Sequence, residues 1–304
     1  MNKKELSIII VNFNTKVLLG NCLKSIVKNT RDVSYEIIVV DNASSDGSLE
    51  MLKKEFPDIK LISNQKNVGF AKANNQGITI ANGGNILLLN SDTLILNNCF
   101  RKILDFIKAK EDAGIVGCKV LNPDKTLQFS CYHAPDFLTE LVLFTTEIIK
   151  DIENPVTWYK YMKYWNHNKI REVACIAGCF FLVKRGVFDK VGLLDENIFL
   201  YYEDSEFCKR VRLNSDYKIY YYPYAEIIHL KGASSNNSNN YVTLKYAYKN
   251  AKYYLNKYYG KKTEKIFDML CKLIWHIELN FFCFFKFSKK FNEKILMLKE
   301  LLNS

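Results

Sequence analysis

Three aliphatic runs in the first ninety residues end on the same punctuation. Ser7-Ile8-Ile9-Ile10-Val11 stops at Asn12-Phe13-Asn14-Thr15, Glu36-Ile37-Ile38-Val39-Val40 stops at Asp41-Asn42, and Ile86-Leu87-Leu88-Leu89 stops at Asn90-Ser91-Asp92-Thr93. Short runs that are apolar on both faces and rich in β-branched residues read as buried parallel strands. Helical periodicity fills the gaps. Val17, Leu18, Cys22, Leu23, Ile26 and Val27 form one stripe, and Leu49 to Phe56 follows a capping Asp46 or Ser48. A third helix opens at Asn67-Val68-Gly69-Phe70, runs through Ile80 and stops at Asn82-Gly83-Gly84. A short strand at Ile59–Ile62 and a helix near Cys99–Lys110 continue the alternation. The pattern predicts an α/β fold with a parallel, doubly wound sheet and right-handed crossovers. The carboxyl ends of its strands then share one edge, where ligands bind in such sheets. Asn12, Asn14, Asp41, Asn90, Ser91 and Asp92 are thereby expected on that edge.

After Gly114–Val120 the pattern changes. Residues 122–172 are aromatic and poorly periodic, and read as a substrate-facing insertion. Cys175–Val183 is strand-like and interrupted at Gly178. Glu203–Asn214 is helical, Tyr217–Tyr222 and Glu226–Leu230 read as edge strands, and Thr243–Tyr259 and Lys265–Phe287 as helices. The expected organisation is one domain over 1–240, in two halves (1–120 and 121–240). A helical extension over 241–304 follows. The nine cysteines include no CxxC pair, so buried reduced thiols are expected rather than a zinc site. The start runs straight into a strand, without the apolar stretch of a signal peptide. Of the +11 net charge, +8 lies from Tyr241 onward, where thirteen lysines face five acidic residues among many Tyr and Phe. That mixture suits an anionic membrane surface, and no nucleic-acid motif accompanies it.

Single residues carry the chemistry. Asp92, closing a strand, can hold a divalent cation on a substrate's phosphates, or simply cap a loop. Asp41 can accept from a base N–H or a ribose hydroxyl, or satisfy turn amides. Glu203 and Asp204 follow the aromatic run Phe199–Tyr202 at a helix start. They suit general-base work or plain capping, and the helix dipole is expected to keep Asp204 ionised. His229 is a structural histidine or a second metal ligand beside Asp92. Neither GxGxxG nor GxxxxGK[ST] is present, which disfavours a dehydrogenase and a P-loop enzyme. A nucleotidyltransferase would need a basic, Gly-rich loop after the first strand, and Asn12–Thr15 is neither.

These segments resemble family-2 glycosyltransferases in their order along the chain. The matching motifs are Ser7–Asn14, Val39–Ser48, Asn67-Val68-Gly69-Phe70 with Asn74 and Gly77, Leu89–Thr93, Gly178–Val183, Phe199–Asp204 and the stretch from His229 to Ser235. The chain looks most like the rhamnosyltransferase and galactofuranosyltransferase-like branch that builds bacterial surface polysaccharides, and the resemblance covers Leu6 to Ser235. It implies a GT-A fold and inverting transfer from a nucleotide-diphosphate sugar to a glycan or lipid-linked glycan. By it, Asn12, Asn14, Asp41, Asn67, Gly69, Asn74, Asn90 and Ser91 bind the nucleotide-sugar. Asp92 and His229 hold Mg2+ or Mn2+, Asp204 is the general base, and Glu203 is its catalytic neighbour. Asn90 departs from the first acid of the DXD pattern, and Glu206 replaces the branch's usual Asp. A non-catalytic nucleotide-sugar-binding subunit is the alternative that Asn90 leaves open. The expected location is cytoplasmic, peripheral on the inner face of the cell membrane.

Overall fold

The computed structural model describes residues 4–146, 154–230, 240–284 and 289–302. In chain order the elements of the first stretch are β1 (Leu6–Asn12), α1 (Lys16–Asn29), β2 (Tyr35–Asp41), α2 (Ser48–Glu55), β3 (Lys60–Ser63), α3 (Phe70–Ile80), β4 (Asn85–Asn90), β5 (Thr93–Ile95), α4 (Cys99–Ala109), β6 (Ala113–Leu121), β7 (Leu127–Gln128) and β8 (Cys131–Tyr132). Then come α5 (Phe137–Thr146), α6 (Pro155–Lys160), β9 (Arg171–Glu172), β10 (Cys175–Ile176), β11 (Phe180–Lys184), α7 (Arg185–Val191), α8 (Glu203–Asn214) and β12 (Lys218–His229). Helices α9 (Asn240–Tyr259), α10 (Lys261–Phe284) and α11 (Lys289–Leu302) end the chain.

The chain forms two compact units, one of residues 1–134 and 161–237, the other of 135–160 and 238–304. In the first, the strands lie in the order β3-β2-β1-β4-β11-β6-β12-β5. The β3-β2-β1-β4 block is parallel, β11 is inserted antiparallel, and β12 returns parallel to β6. Side-chain alternation sorts the core onto the two faces. Ile8, Ile10, Val39, Leu87 and Leu89 pack under α1, α2 and α4, whereas Ile9, Ile38, Val40, Ile86 and Leu88 pack under α3, α7 and α8. Gly77 lets α3 settle on β1, since a Cβ there would stand 2.6 Å from Ile9.

Two expectations change. The segments 217–222 and 226–230 are one interior strand, β12, between β6 and β5, and not two edge strands. Its register shifts between Tyr222 and Glu226, around Pro223, which has no amide to give a ladder. The stretch 122–172 also divides. Residues 135–160 group with the C-terminal helices and not with the residues flanking them, so the second unit begins well before residue 241. There Trp275 donates its indole N–H to the Phe144 carbonyl (3.1 Å), and Tyr248 and Phe267 pack on the Phe144 ring. The buried Lys160–Glu140 ion pair lies in the same unit. Eight of the cysteines are free and buried; the side chain of Cys283 falls outside the described residues.

Candidate active site

The carboxyl ends of β1, β2 and β4 are tied together by their own polar side chains. Register places Asn12 beside Asp41 and Val11 beside Asn90. Asn12 Nδ2 donates to Asp41 Oδ1 (2.7 Å) and to Ser44 Oγ (2.9 Å), and its Oδ1 accepts from Thr15 Oγ1 (2.6 Å). Thr15 in turn meets Ser91 Oγ at 2.9 Å. The other Asp41 oxygen takes the Ser44 amide (2.9 Å). Asn12 and Asp41 are fully buried, and their bonds to Thr15 and Ser44 shape the edge. Asn14, Asn67 and Asn90 are the half-buried members of the predicted set. Asn14 is left-handed (φ 54°), with its amide on Ser44 Oγ and its Oδ1 on the Ser45 amide.

Asn42 organises the next loop. It donates to Asn67 Oδ1 (3.0 Å) and the Gly69 carbonyl (3.3 Å), and accepts from Asn64 Nδ2 (3.0 Å) and the Val68 amide (3.3 Å). Asn74 donates to the Phe70 carbonyl, and its buried Oδ1 has no hydrogen-bond partner.

Asp92 sits just past β4, nearly inaccessible, because β12 folds beside it: the Leu230 amide donates to the Asp92 carbonyl (2.9 Å). His229, the last residue of β12, brings Nε2 within 3.2 Å of Asp92 Oδ1. Its Nδ1 faces Gln128 Oε1 at 2.6 Å. Gln128 Nε2 donates to Asn122 Oδ1 and the His229 carbonyl, which fixes the amide orientation. Gln128 Oε1 thus accepts from His229 Nδ1–H, and the ring turns Nε2 toward the Asp92 carboxylate. Asn90 Nδ2, 3.4 Å from Nε2, is at the long end of hydrogen-bond reach. An imidazole nitrogen and a carboxylate oxygen brought this close are a donor pair of the kind a divalent ion takes. Among the described residues no cluster of three or more His, Cys, Asp or Glu could hold a metal.

The acidic pair opens α8 behind Tyr201 and Tyr202, both left-handed (φ 66° and 74°). Asp204 Oδ2 accepts the Gly178 amide (2.9 Å), and Oδ1 accepts the Ser205 amide (2.6 Å). Tyr132 and Ser205 share a hydrogen bond (3.1 Å) beside it. The residue after Gly178, Cys179, accepts the Asn90 amide on its carbonyl (3.1 Å). One turn between β10 and β11 therefore connects Asp204 to the end of β4. Burial raises the Asp204 pKa despite the amides that lower it, and burial with the Asp204 charge pushes Glu203 up to about 8. Glu203 Oε2 is buried without a hydrogen-bond partner. Glu206 is fully buried in a two-point pair with Arg210 (3.1 and 2.8 Å), a support for α8 rather than a site residue.

The family model for glycosyl transferase family 2 matches residues 7–192, more than half of the chain. The chain belongs to glycosyl transferase family 2. As a family-2 chain it is similar to the N-acetylglucosaminyl-diphospho-decaprenol L-rhamnosyltransferase of Mycobacterium tuberculosis, at 24% identity over 66% of this chain and 67% of that protein. It is also similar to the dTDP-rhamnosyl transferase of Shigella flexneri, at 26% identity over 75% and 69%. These matches place it in the rhamnosyltransferase-like branch. The mannosyltransferase of Pyrobaculum calidifontis, solved with GDP-Man and Mn2+, superposes with a TM-score of 0.53 at 16% identity, covering 99% of this chain and 86% of that one. That likeness establishes the GT-A fold.

Tyr132, Gln128 and Asn42 went unremarked as site residues in the sequence. Only Asn42 had a local signal, since it directly follows Asp41; the other two reach the site through pairings distant in sequence.

Proposed function

We propose that this family-2 chain is an inverting glycosyltransferase. It moves rhamnose or a similar hexose from a nucleotide-diphosphate sugar to a glycan or lipid-linked glycan in bacterial surface polysaccharide synthesis. The observation that carries this reading is the Gly178–Cys179 turn, which holds Asp204 on one side and the end of β4 on the other. A carboxylate so placed takes the acceptor's hydroxyl proton as the oxygen attacks the anomeric carbon. One base without a covalent nucleophile inverts the configuration, as in the corresponding hydrolases. Asn14, Asn67 and Asn90 meet the donor, while Asn12, Asp41, Ser91, Gly69 and Asn74 hold the walls around it. Asp92 and His229 hold Mg2+ or Mn2+, which when bound disperses charge on the departing diphosphate. The rhamnosyltransferase relatives support the choice of sugar. Transfer assayed across nucleotide sugars, with chelator and with restored Mg2+ or Mn2+, tests the reading. Full activity in chelator would remove the metal from it.

A bilayer is the partner we propose for the second unit, at the cytoplasmic face of the membrane. No described helix is long and apolar enough to cross one. On α10, Phe267, Cys271 and Trp275 are buried at i, i+4, i+8. The opposite side exposes Ile266, Met269, Leu273 and Ile277, with Lys262, Lys265 and His276 exposed along the same helix. An apolar stripe flanked by cations suits anionic headgroups. Lys286, Lys289, Lys290 and Lys294, also expected there, have side chains outside the described residues, as do residues 231–235 of the last motif. Co-sedimentation with anionic liposomes should be lost on Leu273→Glu with Ile277→Glu. Equal binding by that variant, or indifference to anionic lipid, refutes the surface.

A further inference from the structure

No helix or strand covers residues 192–202, the segment that delivers the acidic pair. Helix α3 holds it at two points. Asn75, only 4% exposed, accepts the Leu194 amide (3.0 Å) and donates to the Leu194 carbonyl (2.9 Å), so one side chain satisfies both polar groups of one residue. It also donates to Glu196 Oε1 (3.1 Å). Five residues beyond Leu194, the Phe199 carbonyl accepts the Phe70 amide (2.7 Å) at the start of α3. Gly69 makes this approach possible. Its φ is +89°, and a Cβ there would stand 2.7 Å from the Phe199 ring and 2.8 Å from the Phe199 carbonyl oxygen. Beyond Phe199 come Tyr201 and Tyr202 in left-handed conformations, which are strained for non-glycine residues and persist only where surroundings enforce them.

We propose that Asn75 is a positioning residue: with Gly69 it clamps the 193–202 segment to α3 and so fixes Glu203 and Asp204 relative to the nucleotide side of the sheet. The proposal rests on the reading of Asp204 as the base. The continuity is physical. Asn42 at the end of β2 holds the Gly69 carbonyl, Phe70 holds Phe199, and Asp204 lies five residues past Phe199. Small displacements of a reacting group cost large factors in rate, so a slack clamp should be read in turnover before donor affinity.

The test uses the full-length enzyme with Asn75→Ala, with Asn75→Asp, which keeps an acceptor for the Leu194 amide but loses both donations, and with Asp204→Asn in parallel. Asn75→Ala should lower kcat about tenfold or more at a donor KM within about twofold of wild type. Hydrogen exchange should quicken in peptides spanning 193–202 while those spanning 70–80 keep their protection. Asn75→Asp should be at least as impaired as Asn75→Ala in both readouts, since its buried carboxylate would face the Leu194 carbonyl and the Glu196 carboxylate. Wild-type kcat with unchanged 193–202 exchange in a folded Asn75 variant overturns the clamp. So does an activity loss that follows melting temperature alone, with exchange unchanged. Asp204→Asn with wild-type turnover overturns the base assignment instead, and the exchange result still judges the clamp.

Discussion

Asp204 is held by opposing influences: the Gly178 and Ser205 amides favour its charge and burial opposes it, with burial the larger. Burial that disfavours the charged carboxylate makes it the readier proton acceptor. Asp204→Asn keeps the shape and one of the two amide contacts but cannot accept the proton. Transfer should fall by about a hundredfold or more with donor binding nearly unchanged, as measured by initial rates and nucleotide titration. Glu203 makes a separate prediction. Its folded pKa lies at about 8, against an ordinary value of 4.5. Between those values the folded chain keeps a proton that the unfolded chain has released, so stability falls as pH rises through the window. Glu203→Gln removes that slope, and its melting temperature should gain on wild type steadily across that window. The sequence made the acidic pair legible through the aromatic run before it. It could not show its protonation, because Tyr132, Gly178 and Cys179 approach from elements with no local sign of doing so.

At the scale of elements, β12 shows what periodicity conveys and what it hides. Its two halves were legible as strands, but their union across Pro223 and their interior place depend on pairing with β6 and β5. That pairing is also what sets His229 against Asp92. Gln128, on the two-residue strand β7, then orients the histidine ring through Nδ1. Gln128→Leu removes the partner of Nδ1. The concentration of Mn2+ giving half-maximal activity should rise about tenfold or more, the usual effect of losing such a partner. An unchanged metal titration would separate Gln128 from the site. Helix α8 depends on Glu206 and Arg210. Glu206→Ala strands a largely buried guanidinium and should cost about 3 kcal/mol in denaturant unfolding. The parallel strands and their polar ends were the most legible elements, since each carries its whole signal in a handful of residues.

For the molecule as a whole, the division into two units was the least legible feature. Trp275 and Phe144 are separated by 131 positions, and the six-residue α6 is too short to show periodicity. The second unit draws its core from both parts of the chain. Deleting residues 261–304 therefore uncovers Phe144 and Tyr248, and the shortened protein should lose the cooperative unfolding of its second unit, read as fast hydrogen exchange in peptides spanning 137–146 and 240–259. The free cysteines give this division a readout of another kind. Burial makes their thiolates scarce: Cys22, Cys131, Cys179 and Cys271 are pushed up to about 12. A thiol reagent should thus modify them through opening of the fold rather than in place. Seven of the eight lie in the first unit and Cys271 in the second. In a Cys283→Ser background, the number of thiols reacting in each kinetic phase would count cooperative units directly: one and seven if they open separately, eight together if they do not.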